Sequence, residues 1–565
     1  MKSQNFPESD SKVRRHTYLS DATCKKVDVL LVQPPIQDFY LTSKRTVPYG
    51  LVCIAAVLRQ AGLKVALLDA LATSKSRHLK LPKKMSYLRS FYPFKDLTPF
   101  GLFHQYRHFG YSYEHIGKVA KSADPDLVGI SSLFTPYASQ ALETAMVIRK
   151  QLPHCKIVLG GHHPTAMPLE VMSHSAVDFV IRGEGEFALL ELAYALKKKG
   201  DFKDILGLVY RASNNTVQCS APRINPNLNQ LPIPAHDLVK NKYYRRSKNG
   251  ALTIITSRGC PMSCSYCSVG AKSYLTYRRR SKKQILAEID FAARLGPVDF
   301  IDFEDENLTF DKTWFLSLLA DIQKRWKGKM IELRAMNGLF PPSLDQKTIA
   351  AMKASGFRTL NLSLGATNAV QLKRFRRADV RPAFDRVLNV AKLHDLKCVG
   401  YIIAGAPYQN ALDSVKDLLY LAQRRVLIGV SIFYPAPGSR DYVLCSDLNI
   451  LPHQYGLMRS TALPIAHTTS RIEAATLLRL GRILNFIKQL IDYGIPLPEP
   501  SSPKVDIDVN QNRLQLGLHL LSWFFKDGYI RGVMPSGKVY SHRTALTLTQ
   551  YFNNELIQLN LKGTT

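Results

Sequence analysis

Three cysteines, Cys260, Cys264 and Cys267, stand within eight residues of the stretch "SRGCPMSCSYCSVG", residues 257–270, in a chain that has nine cysteines in all. An odd cluster does not suit disulfides, which need pairs, or a structural zinc site, whose ligands usually arrive as two pairs. No matching pair accompanies the triplet; a zinc knuckle with a distant fourth ligand and three unrelated thiols are the plainer alternatives. A [4Fe–4S] cube takes four ligands, usually thiolates. Three thiolates leave one iron open, and in catalytic metal sites the open position is where a reactant binds. The spacing Cys-x3-Cys-x2-Cys keeps all three thiols on one tight loop, which Gly259 and Pro261 help to wrap. The other six, Cys24, Cys53, Cys155, Cys219, Cys398 and Cys445, are scattered singly, several in apolar strand-like runs, as reduced buried thiols are.

The element that carries the triplet is a strand: "GALTIITSRG" runs straight into it, which puts the thiols at a strand's carboxyl end. Five more strand patterns follow, "VDFIDFEDENLTF", "MIELRAMNG", "TLNLSLGA", "KCVGYIIAGAP" and "GVSIFYPAPGS", with amphipathic stretches such as "DKTWFLSLLADIQKRW" between them. Six units in one phase predict a partial (β/α)6 barrel of TIM type over residues 250–449, with its site at the strand carboxyl ends. Upstream, "KVDVLLVQPP", "YGLVCIAAVLRQAG" and "LKVALLDA" make a βαβ unit, and "PDLVGISS", "CKIVLGG" and "VDFVIRGEGE" continue it. These predict an α/β domain over residues 26–200, a doubly wound, Rossmann-like parallel sheet whose ligands bind beyond the strand carboxyl ends. Small or polar residues close those strands, at Ser131 and Ser132, at Gly160 and Gly161, and at Gly183 before Glu184, which marks a ligand edge. Without a GxGxxG, no dinucleotide is indicated. His162 and His163 are read on an extended segment, where neighbours point to opposite sides, so a shared metal is not expected. Residues 1–25 read as an N-terminal extension, 72–120 as a basic, aromatic insertion, 201–249 as a linker and 450–565 as a mainly helical C-terminal region.

A length of 565 residues with 46% hydrophobic and 21% charged residues describes a folded protein of two or three domains. Lys and Arg outnumber Asp and Glu by 76 to 44, a formal charge of +32, and the excess is clumped in "RHLKLPKKMSYLRSF", "YYRRSKNG", "YRRRSKK" and "LKRFRRADVR". Such clusters read as the footprint of an anionic partner, such as an anionic membrane surface, or as a solvated basic surface. No zinc-finger spacing, recognition helix or aromatic four-strand pattern accompanies them, so nucleic acid is not expected; an iron–sulfur or zinc protein that binds nucleic acid is the non-enzymatic alternative. No apolar run is long enough to span a bilayer and no signal-peptide pattern opens the chain, which leads to the expectation of a cytoplasmic protein with at most a peripheral membrane contact.

The segments "QPP", "PYGLVCIAAVLRQAG", "GISSLFT", "VLGGHHPTAMP" and "VDFVIRGEGE" resemble, in order and spacing, the cobalamin-binding domain at the N-terminus of many radical S-adenosylmethionine (SAM) enzymes. The cysteine motif, with Tyr266 before its last thiol, resembles the signature of the same superfamily. This resemblance implies that Cys260, Cys264 and Cys267 hold a [4Fe–4S] cluster whose open iron is chelated by the amino and carboxylate groups of SAM. It also implies that Ser131, Ser132, Gly160, Gly161, Gly183 and Glu184 line a pocket for cobalamin. Tyr266 would pack near the adenine, which the backbone from Gly400 to Gly405 would approach. Asp305 and Glu306 would contact SAM or substrate, with a solvated acidic turn as the alternative, and Arg334 and Arg377 would hold the SAM carboxylate unless they are surface arginines.

Two departures from the pattern carry meaning. "NLSLGAT" has Thr367 where the family has an acid, which moves the fourth-strand role to Ser363. "PPIQDFYLTSK" lacks the histidine that ligates cobalt from below in many cobalamin proteins, which implies base-off cobalamin. The implied function is methylation of an unactivated carbon, a 5′-deoxyadenosyl radical removing hydrogen and methylcobalamin supplying the methyl. A cyclase or rearrangement enzyme that transfers no methyl shares every one of these motifs. The implied partners are a small-molecule, lipid or peptide substrate and an electron donor such as flavodoxin or ferredoxin.

Overall fold

The computed structural model describes residues 26–40, 47–246, 250–269 and 276–565. Its first unit is a seven-stranded sheet of β1 (Val29–Gln33), β2 (Val65–Asp69), β3 (Leu127–Ser131), β4 (Lys156–Gly160), β5 (Phe179–Ile181), β6 (Leu208–Arg211) and β7 (Val217–Cys219), in the order β7-β6-β5-β4-β3-β1-β2. Strands β1 to β5 pair in parallel. Helices α1 (Tyr49–Gln60), α2 (Tyr113–Ala123), α3 (Ala138–Gln151) and α4 (Gly185–Lys198) cover both faces. Strand alternation decides which: Val29 and Leu31 pack with α1 and α4, whereas Leu30 and Val32 pack with α2 and α3. That is why these strands read as continuous apolar runs.

Three local features differ from the sequence reading. Strands β6 and β7 pair antiparallel at the sheet edge inside the stretch read as a linker, too short at four and three residues to show a period. Helix α2 starts inside the stretch read as an insertion and packs on α3. His162 and His163 open a single helical turn, His162–Ala166, rather than an extended segment, because Thr165 N–H turns back to the Gly161 carbonyl.

The second unit contains β8 (Ala251–Ile254), β9 (Ser257–Arg258), β10 (Arg278–Arg279), β11 (Phe300–Phe303), β12 (Glu332–Ala335), β13 (Thr359–Gly365), β14 (Lys397–Ala404) and β15 (Leu427–Ile432). The parallel sets β8-β11-β12 and β13-β14-β15 meet through parallel bridges, Leu333 to Phe357 and Leu339 to Leu362, and form one open six-stranded barrel. Its strands alternate as a barrel requires: Leu360, Leu362 and Leu364 pack under the helices, leaving Asn361 and Ser363 on the inner face. The short antiparallel pair β9–β10 stands apart from the barrel sheet.

One core joins the barrel to Met85, Leu88, Phe91 and Phe100 of the insertion and to the C-terminal helices, through Leu480, Trp523 and Phe552 among others. Arg479, in the helix Arg471–Asp492, is buried there and donates to the carbonyls of Phe91 and Phe100 at 2.8 and 3.3 Å. Burial pushes its guanidinium down to about 10. Arg479→Ala leaves two buried carbonyls unpaired beside a cavity, a loss of about 2–4 kcal/mol. Limited proteolysis should then cut within residues 79–106 before the rest of the chain; an unchanged digestion pattern would contradict this bracing role.

Candidate active site

The cysteine loop begins where β8 is fastened to β11. Asp305, which is 2% exposed, accepts the N–H groups of Thr256 and Ser257 at 3.0 and 2.6 Å and both of their hydroxyls at 2.6 Å. Burial raises its pKa against these donors. These four donors make Asp305 the anchor of the loop. Beyond it, Asn307 points its amide at the Cys260 sulfur, 3.9 Å away. Ser265 ties the loop to the barrel rim, its N–H to the Phe375 carbonyl and its hydroxyl to Asp441 at 3.0 Å.

The three thiols are outside any disulfide and close enough to feel one another: burial first, then Cys267 and Cys264, push Cys260 up. Among the described residues no three ligating side chains converge as they would on a single ion. A cube offers each thiolate its own iron, so its ligands stand wider apart, and three neighbouring thiols with an amide donor to one sulfur fit such a cluster.

Arg377 gathers three of the sequence-predicted residues into one group. It donates to Tyr266 Oη at 3.0 Å and to the Ser363 carbonyl and hydroxyl at 2.6 and 2.9 Å. Its Nε is buried without a partner, a directed donor that fits a carboxylate such as that of SAM. Tyr266 lies edge-on to Phe375, ring centroids 5.1 Å apart. Arg334 belongs to a different group: it pairs with Asp302 on the neighbouring strand at 2.5 Å and covers the Phe300 ring at 5.0 Å. Gly405 sits at the end of β14 with 3.8 Å to the nearest side chain a Cβ would meet, so backbone is open there. Gly400 is not at the mouth, since its missing Cβ would lie 3.0 Å from Phe384 and 3.2 Å from Leu421 in the helix layer.

Glu306 and Tyr434 keep open surface yet are crowded by protein. Crowding, with the Asp305 charge behind it, pushes the Glu306 carboxyl up to about 7. Tyr434, 43% exposed, is raised by crowding and by its neighbours Cys267 and Tyr40. Tyr40 belongs to the first unit and Cys267 to the second, so Tyr434 marks a space shared by both.

On the first unit's side, Ser131 pairs with Gly160, and Ser132 N–H donates to the Gly160 carbonyl at 2.8 Å. Ser132 Oγ is buried without a partner, and a Cβ on Gly160 would meet nothing within 3.8 Å, the two features expected of a ligand edge. Gly161 and Gly183 serve the protein's own packing. They have φ of +120° and +82°, and a Cβ would fall 2.6 Å from the Ser132 carbonyl oxygen and 2.2 Å from that of Arg223. Glu184 faces the barrel unit, with Arg278 at 2.9 Å and Arg258 at 3.4 Å, so it is committed to ion pairs rather than to a corrin. His163 packs edge-on to Tyr455, and burial pushes it down to about 4, so it is neutral. The "PPIQDFYLTSK" reading falls partly outside the described residues; within them, Asp38 is buried and held by Arg459 at 3.1 Å and Tyr137 at 2.6 Å.

Residues that sequence reasoning passed over include Asn307, Arg258, Glu186 and Tyr434. Asn307 lies in the quoted "FEDENLT" and Arg258 two residues before Cys260, but nothing local reveals what either one meets.

Comparison with known proteins agrees with this geometry. Residues 104–193 match the B12 binding domain family and residues 254–420 the Radical SAM superfamily. The chain is 26% identical over 435 residues to an uncharacterized methyltransferase of Pyrococcus horikoshii, which covers 75% of this chain and 84% of that one. It is 29% identical over 272 residues to the anaerobic magnesium-protoporphyrin IX monomethyl ester cyclase of Rubrivivax gelatinosus, 46% of this chain and 47% of that one. In fold it is similar to the radical SAM methyltransferase TsrM of Kitasatospora setae, with a TM-score of 0.58, 18% identity, and 74% and 76% of the two chains covered. The cobalamin-dependent enzyme OxsB gives a TM-score of 0.55 at 15% identity, over 94% of this chain and 66% of that one.

A B12-binding sheet followed by a three-cysteine barrel defines an enzyme that uses cobalamin, a [4Fe–4S] cluster and SAM. The chain thus joins a B12 binding domain to a Radical SAM domain, and the relatives it is similar to include methyltransferases.

Two substitutions separate anchoring from binding. Asp305→Ala should lower the iron retained after anaerobic reconstitution, because the loop loses its anchor. Arg377→Ala should keep the iron and weaken SAM binding by about tenfold or more, as expected for loss of a charged donor. Full iron in the first, or unchanged SAM affinity by calorimetry in the second, would contradict these roles.

Proposed function

We propose that the chain methylates an unactivated carbon of a small-molecule, lipid or peptide substrate, with SAM consumed both as radical source and as methyl donor. The observation that carries this reading is the shared space: the ligand edge at Ser132 and Gly160 and the cysteine loop both lie at strand carboxyl ends, and Tyr434 neighbours groups of both units. When bound, the cluster supplies an electron to SAM, and cobalamin accepts and delivers the methyl group.

The chain's own residues position and shield. Cys260, Cys264 and Cys267 would hold the cluster, and Arg377, with Tyr266 and Ser363 fixing its plane, would orient the SAM carboxylate. Ser131, Ser132 and Gly160 would receive the corrin. Glu306, pushed up to about 7, holds a proton over part of the neutral range. The electron would come from a small carrier such as flavodoxin or ferredoxin. The basic clusters other than "YRRRSKK" are read as a peripheral contact with anionic membrane or as plain surface; among the described residues no helix is long and apolar enough to cross a membrane.

The cyclase relatives favour a second reading, ring closure or rearrangement without methyl transfer. SAM labelled in its methyl group separates the two. Methyl transfer predicts label in the product and release of S-adenosylhomocysteine and 5′-deoxyadenosine in similar amounts. Unlabelled product, with deoxyadenosine and no S-adenosylhomocysteine, would overturn it in favour of the second reading.

A further inference from the structure

Arg258 and Arg278 face each other across the antiparallel pair β9–β10, and Cys260, Cys264 and Cys267 lie between those two strands in the chain. Like charges directly opposite on an antiparallel pair repel, and the repulsion opposes closing it. The compensating charges come from the cobalamin-binding unit. Glu184, just beyond β5, accepts two hydrogen bonds from Arg278 at 2.9 and 3.0 Å and stands 3.4 Å from Arg258. Glu186, in the first turn of α4, accepts from Arg258 at 2.5 Å. Asn225 completes the group: its N–H donates to Glu184 at 2.7 Å, its amide to Glu186 at 3.2 Å, and its carbonyl accepts from Arg278 at 2.6 Å.

Ion pairs on an open surface contribute little, but these are sheltered, with side-chain exposures of 20% and 9% for Arg258 and Arg278 and 11% and 4% for Glu184 and Glu186. Removing one partner from such a group leaves a charge uncompensated. The two units are also joined elsewhere: Glu288 accepts from Tyr49 at 3.0 Å and Arg280 at 2.5 Å and meets His236 at 2.8 Å. Loss of Glu184 therefore bears on the loop rather than on the whole interface.

We propose that Glu184 and Glu186 are positioning residues for the cysteine loop, whose carboxylates close the β9–β10 pair and set the thiols against the cobalamin-binding unit. The inference rests on the three thiols being the cluster ligands, and its test is readable without a cluster. Hydrogen exchange of the full-length apoprotein would be followed over residues 259–269 in the wild type, Glu184→Gln, Arg278→Gln and the charge swap Glu184→Arg with Arg278→Glu. Each single substitution should speed exchange there by about tenfold, in the range of couplings within one ion-pair network. The helix Lys282–Leu295 should be unaffected, and the swap should return the loop toward the wild-type rate.

If Glu184→Gln does not fold, Arg278→Gln reads the same pair from the other side. Unchanged exchange in a folded single variant, or a swap no slower than the singles, would overturn the proposal. A chain that shows the predicted exchange pattern and yet assembles no cluster would leave the positioning role standing and overturn the cluster assignment.

Discussion

The Asp305 carboxylate is the interaction on which the rest of the site depends. Burying a charge of this kind costs several kcal/mol unless its lone pairs are met, and here two N–H groups and two hydroxyls from Thr256 and Ser257 meet them. The result fixes the end of β8 to the turn after β11, and so fixes where the cysteine loop begins. The next residues in that turn inherit its geometry: Glu306 keeps open surface and Asn307 reaches the Cys260 sulfur.

The second constraint is the contact between the two units. Ion pairs and hydrogen bonds hold the two units together, from Arg258 and Arg278 to Glu184 and Glu186 and from Tyr49 to Glu288. The insertion and the C-terminal helices brace this arrangement from outside through a shared core and through Arg479. Arg459 does the same near the first sheet, pairing with buried Asp38 while donating to the Gln37 and Pro136 carbonyls.

Much of this was legible in the sequence because it follows from periods and spacings. The fully apolar parallel strands, the six barrel strands and the cysteine triplet are local patterns, and each appears as read. Glu184 and Asp305 were read toward ligands because nothing local shows what they meet: the partners of Glu184 lie at residues 258 and 278, and those of Asp305 at 256 and 257. Gly400 fits a motif by spacing, but its place in the strand alternation turns it to the helix layer. The cluster "YRRRSKK" reads in sequence as the footprint of an anionic partner or as a solvated surface, yet Arg278, Arg279 and Arg280 pair with Glu184, Asp311 and Glu288. A run of like charges in sequence says nothing about the acids that the fold will bring to it.

Three thiols on one anchored loop, Cys260, Cys264 and Cys267, are expected to hold a cluster with one iron left open to SAM. Mössbauer spectroscopy of the iron-57 reconstituted protein tests it most directly. Three thiolate ligands predict a [4Fe–4S] signal in which about one iron in four shifts toward higher coordination when SAM is added. Four irons that stay equivalent with and without SAM, or a metal content of zinc instead of iron, would contradict it.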